Sequence, residues 1–128
     1  MKKQNKKLRT KIRIHIDKWK WIVTWLGWRF DIYYVEKHKD MPDDTSRDKG
    51  VNASVYSNWS YLKAQIYFSL EKCMDYDDKE LEEIVLHELT HILLDPLDGS
   101  TDSEVLEYCV TSVQRVLSGL AANNNSGA

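Results

Sequence analysis

The chain predicts an α+β domain, laid out as one helix, a small three-stranded sheet and two further helices. Three observations carry that expectation. Apolar residues recur at steps of three and four near both ends of the sequence. Between those ends lie aromatic and β-branched runs bounded by turn residues, which read as strands. A capping box, Asp77 to Glu80, opens the last third of the chain as helix.

The elements follow in order. Residues 1–9 are polar and basic, and are expected as a flexible start. From Thr10, Ile12, Ile16, Trp19, Val23 and Leu26 keep helical spacing, and Gly27 is a stop. The alternation Ile12, Ile14, Ile16 competes as a strand signal. Trp28 to Glu36 ("WRFDIYYVE") is the first strand, and Lys37 to Gly50 is a polar loop holding both proline and glycine. "VNASVYSN" and "YLKAQIYFSL" are two more strands, joined through "SNWS". The capped helix runs to about Leu94 and stops near Pro96, and "PLDGS" is a turn. The last helix starts near Asp102 or Ser103, with Leu106, Val110, Val113, Leu117 and Leu120 on one face. Residues 10–121 make one domain, and residues 122–128 ("ANNNSGA") are expected as a disordered tail.

Charge is unevenly spread. The net charge is −2, yet the first twenty residues hold nine Lys/Arg and one acid, Asp17. Residues 75–107 hold twelve Asp/Glu and one Lys, Lys79. The plain reading of the basic start is a solvated terminus; the functional one is a patch for nucleic acid or an acidic partner. "WIVTWLGW" comes too late for a secretory signal and is too short to span a bilayer, so no membrane partner is expected. Two cysteines, Cys73 and Cys109, make no disulfide framework and read as reduced thiols in a cytoplasmic protein.

The chemistry lies in "LEEIVLHELTHILLDP", residues 81–96. On a helix with His87 at zero, His91 falls at about 40° and Glu88 at about 100°. Leu81, Val85, Leu86, Leu89, Ile92 and Leu93 fall between roughly 120° and 260°. The aliphatic side chains thus take one side and both histidines the other. Cβ atoms at i and i+4 lie roughly 5–6 Å apart. Two imidazoles can therefore converge on one ion, while Glu88, one step round, reaches a water on that ion without ligating it. Two solvated histidines are the bland alternative. The aliphatic content around them argues for a central helix and a covered site.

A catalytic zinc takes three protein ligands and leaves a position open. The positions three and six after His91 are Leu94 and Leu97, which excludes the Gly and His of a metzincin extension. His15 and His38 have no motif behind them. The next helix offers Asp102, Glu104 and Glu107. Glu104 has a capping role available with Thr101, and Glu107 has none. Glu107 is the preferred third ligand, Glu104 its rival and Asp102 third.

"HELTHILL" followed by "EYCVTSVQRVL" resembles the small HExxH proteins encoded by bacteriophages and prophages. These are minimal gluzincin-like domains, similar in style to the ImmA/IrrE-like and SprT-like groups. The likeness is specific at the two helices and covers the layout from about Trp28 to Leu120. It implies a zincin fold with a small mixed or antiparallel sheet. In larger gluzincins the residue four after the ligand Glu is often an Asp that supports a histidine ligand; Thr111, at that position, could do so only more weakly, as a hydroxyl. The resemblance also implies that the strand before the active-site helix, Ala64 to Leu70, pairs with an extended substrate.

The expected activity is that of a zinc metallopeptidase. His87, His91 and Glu107 hold one Zn²⁺, and Glu88 is the general base. Tyr108, Tyr76 and Arg115 are candidate oxyanion donors. Two rivals stand beside it: a non-catalytic zinc-binding module, and a DNA-associated protease that uses the basic start.

Overall fold

The computed structural model describes residues 2–42, 51–97 and 102–126. Among them are five α helices and one three-stranded sheet, an α+β arrangement. In chain order they are α1 (Lys2–Trp19), α2 (Trp21–Thr24), β1 (Arg29–Val35), β2 (Ala53–Asn58), β3 (Lys63–Ser69), α3 (Leu70–Cys73), α4 (Asp78–Leu93) and α5 (Ser103–Ser126).

The helix begins eight residues earlier than the spacing from Thr10 suggests. Leu8 extends the apolar stripe by one more step of four from Ile12, and it is buried with Ile12, Ile16 and Trp19. Residues 2–9 are therefore helix. Position 1 lies outside the described residues. The helical path continues past Lys20 into α2 and ends at Gly27, whose φ of +93° is open to glycine and costly for other residues. A Cβ there would also meet Leu62 Cδ1 at 3.3 Å.

The sheet order is β1-β3-β2, with β1 parallel and β2 antiparallel to β3. Ile32 pairs with Ile66, and Ile66 with Val55, so one row crosses all three strands. Ala64, Ile66 and Phe68 turn inward, while Lys63 and Gln65 face out. β3 is thus the central strand, with both edges taken. This corrects the expectation that Ala64 to Leu70 pairs with substrate. The β2–β3 hairpin and the parallel approach of β1 use every ladder position of β3, and Leu70 already belongs to α3. The strands with an edge left over are β1 and β2.

α4 packs against both α1 and β2. Leu81, Val85, Leu86, Leu89 and Ile92 are buried in one cluster with Ile12, Ile16, Ile66 and Phe68. α5 runs to Ser126, five residues into the segment expected as a tail. Leu117 and Ala121 pack against the core cluster, which holds the helix well past Val110. Residues 127–128 lie outside the described residues, as do 43–50 of the polar loop and 98–101 of the turn. Within the described part of that loop, His38–Asp40 form a 3-10 turn and Met41 is fully buried. No described helix is long and apolar enough to cross a membrane.

Candidate metal centre

α4 starts where Asp77 caps it. Glu80 N donates to Asp77 Oδ1 at 2.8 Å, and Asp77 N donates to Glu80 Oε1 at 3.3 Å. This reciprocal pair sets the helix start and hence the angle at which residues 87–91 present their side chains. With the aliphatic face sunk in the core, His87 and His91 emerge together on the other side. Their rings stand edge to face, 4.8 Å between centroids.

Glu107 reaches them from α5. His91 Nε2 lies 2.8 Å from Glu107 Oε1, and His87 Nε2 lies 3.5 Å from Glu107 Oε2. The three donor atoms all lie within 4.8 Å of one another, and no other such group of three occurs among the described residues. Two imidazole nitrogens and one carboxylate oxygen suit a divalent ion such as zinc. Both histidines are half-buried and Glu107 is exposed, so a cation entering from solvent loses only part of its hydration here.

The rival ligands are placed elsewhere. Asp102 Oδ1 accepts from Glu104 N at 2.8 Å, so Asp102 caps the start of α5. Glu104 itself is exposed. His15 Nε2 lies 2.9 Å from Asp78 Oδ1, at the contact between α1 and α4. His38 Nδ1 lies 3.0 Å from Ser69 Oγ in a buried site. Cys73 and Cys109 form no disulfide, and burial, with Glu88 close by, pushes the Cys73 thiol up to about 12. That thiol is inert at neutral pH.

One contributor goes unseen in the sequence. Gln114 Oε1 lies 3.0 Å from His87 Nδ1, and Gln114 Nε2 donates to Glu83 O at 3.2 Å. An amide oxygen only accepts, so His87 carries its proton on Nδ1 and turns a lone pair on Nε2 toward Glu107. The resemblance offered Thr111 as a weaker, hydroxyl support; the group on His87 Nδ1 is Gln114. A signal was available. Gln114 stands seven residues after Glu107, two turns on, and is polar within the stripe Val110, Val113 and Leu117. Gln114→Ala is expected to weaken zinc affinity by about 10–100-fold, measured by competition with a chelating dye. Thr111→Ala is expected to leave it unchanged, and equal losses in the two variants would remove Gln114 from this role.

Glu88 forms part of the wall of the same cleft and is only 7 % exposed. Burial, helped by the charge of Glu107, pushes its carboxyl up to about 8. The cleft measures about 910 Å³. Residues 51–57 line it without a gap, as do His87, His91, Glu107 and Gln114. Side chains alternate along a strand, so an unbroken run means that β2 turns its edge to the cavity. Five carboxylates line the cleft (Glu80, Glu83, Glu88, Asp95 and Glu107), and no Lys or Arg does among the described residues. That field favours a cation. Of the three oxyanion-donor candidates, Tyr76 lines the cleft, and its hydroxyl accepts from Asn52 Nδ2 at 3.3 Å while keeping its own proton to donate. Tyr108 is exposed on α5, and neither it nor Arg115 is among the described lining residues.

No family model, curated protein or solved structure matches the chain.

Proposed function

We propose that the protein is a zinc-dependent hydrolase of peptide bonds. The observation that carries this reading is the convergence of His87, His91 and Glu107 beside a buried carboxylate, at a cleft whose wall is an open strand edge. Zinc bound there supplies Lewis-acid polarisation of a carbonyl and a water acidified toward neutrality.

The chain's own groups do the rest. Glu88 is one residue from a ligand yet outside the ligand set, so its carboxylate is available to take a proton from the attacking water and return it to the leaving amine. A carboxyl whose affinity for protons sits near neutrality suits both halves of that transfer. Gln114 holds the His87 ring in one tautomer and one orientation. β2 has one edge bonded to β3 and the other facing the cleft, where its unpaired N–H and C=O groups can align an extended peptide. Asp95 fixes the far end of that strand: Ser57 Oγ donates to Asp95 Oδ1 at 2.5 Å and Trp59 N donates to Oδ2 at 3.0 Å. Tyr76 stands ready to donate to the developing oxyanion.

The test is an unbiased mixture of unstructured peptides incubated with zinc-loaded protein and read by mass spectrometry. Cleavage that a chelator abolishes and added zinc restores is the expected result. A protein that binds zinc and leaves every peptide intact would overturn the hydrolase reading in favour of a non-catalytic zinc module.

A further inference from the structure

α1 carries two stripes. The inner one is Leu8, Ile12, Ile16 and Trp19, all buried. Lys20 N donates to Ile16 O at 2.8 Å and Trp25 N to Trp21 O at 3.3 Å, which keeps a near-helical path from α1 through α2. At about 100° per residue, Lys3, Lys7, Ile14, Trp21 and Trp25 then fall within about 40° of one another, on the side opposite the core. Lys3 and Lys7 are exposed and make no ion pair among the described residues. Ile14 is 60 % exposed, Trp25 84 % and the adjoining Leu26 57 %. The only acid before Asp31 is Asp17, which lies 3.3 Å from both Arg13 and Lys20. The outward line is thus cationic at one end and apolar at the other, and the one acid beside it, Asp17, is paired with two cations.

From this we infer that the outer face of α1 and α2 docks on the surface of an anionic lipid bilayer. Lysines at the start of the line meet anionic headgroups. Tryptophans at its end take the interfacial depth where an indole is half apolar and half wet. Nucleic acid fits the same charge less well. Ile14 and Leu26 have no planar face for a base. The indoles of Trp21 and Trp25 cross at 60° with centroids 5.9 Å apart, so the two rings make no common flat platform for stacked bases. α1 meets α4 through His15 with Asp78 and Trp19 with Glu82, roughly opposite His87 on that helix. A bilayer on the outer face of α1 therefore leaves the cleft uncovered. The inference does not depend on the hydrolase reading.

The experiment is co-sedimentation of the full chain with large vesicles, either phosphatidylcholine alone or phosphatidylcholine mixed with phosphatidylglycerol. Binding to the mixed vesicles only, with release at high salt and a blue shift of tryptophan emission, is expected. The double variants Trp21→Ala/Trp25→Ala and Lys3→Glu/Lys7→Glu are each expected to lower partitioning by about tenfold or more. All four side chains are exposed, and circular dichroism with a thermal melt checks that both variants fold. Three results would overturn the inference: no binding to anionic vesicles, unchanged binding of both folded variants, or retention of an oligonucleotide by wild type under conditions where vesicles are not bound.

Discussion

Glu107→Ala is expected to abolish stoichiometric zinc binding, while Glu104→Ala leaves one ion per chain. The two residues are three apart on the same helix, so the contrast controls for charge and for helix propensity. Glu107 has oxygens 2.8 and 3.5 Å from the two imidazoles, whereas Glu104 is exposed in the first turn and contributes to its start. Removing Glu107 leaves two neutral imidazoles and no charge to offset the cation. The loss should exceed the about 10–100-fold cost of removing a group that only supports a ligand. Metal content after dialysis, determined by atomic emission for wild type and both variants together, decides the matter. Full zinc in the Glu107 variant would remove it from the ligand set, and loss in both variants would point to a general electrostatic role.

The second large effect concerns Glu88→Gln. The zinc-loaded variant should keep its ion, because Glu88 is not among the three converging donors. Peptide cleavage should fall by about 10²–10⁴-fold, the range for loss of a general base. The same substitution should raise the stability of the metal-free protein, and the sign follows from linkage. The folded carboxyl is raised from the ordinary 4.5 to about 8, so the folded state holds the proton more tightly than the unfolded state. The corresponding stability is fully present below pH 4.5 and is lost as pH rises through 8. In chelator, wild type should therefore melt at progressively lower temperature from pH 5 to pH 8.5, by an amount worth roughly a few kcal/mol. A carboxamide does not titrate, so the variant should lack this slope and be the more stable protein at the alkaline end. Scanning fluorimetry across pH on both proteins is sufficient, and parallel slopes would show that Glu88 is ionised in the folded metal-free state.

The parts of the site legible in the sequence are those set by helix period. His87, Glu88 and His91 occupy determined angles on α4 once Asp77 and Glu80 mark its start. Glu107 is accessible by elimination, as an acid near the start of the next helix without a capping role. The rest depends on which elements become neighbours. Periodicity says which side of β3 is buried; it does not say that β1 and β2 flank it. A central strand can therefore pass for an edge in the sequence, and the cleft wall falls to β2 instead. His15 and His38 carry the same chemistry as His87 in the sequence. Only tertiary contacts assign them to Asp78 and Ser69. Gln114 escapes notice because an amide in a helical stripe has no spacing rule, although its register with Glu107 is there to be read.

The seating of α5 has a consequence for when the protein is active. Of its described side chains only Val110 is fully buried, so much of its length lies against solvent rather than core. Its firmest polar ties to α4 are Glu107 and Gln114, both directed at the histidines. On the proposed reading, loading the ion and latching this helix are one equilibrium, because binding energy at a site shared by two elements is also folding energy. A freshly made chain in a zinc-poor compartment would carry its general base and its strand edge already in place but lack the ties that the ion adds between the last helix and α4. The metal then serves as maturation signal as well as reagent, and hydrolysis waits on ion supply.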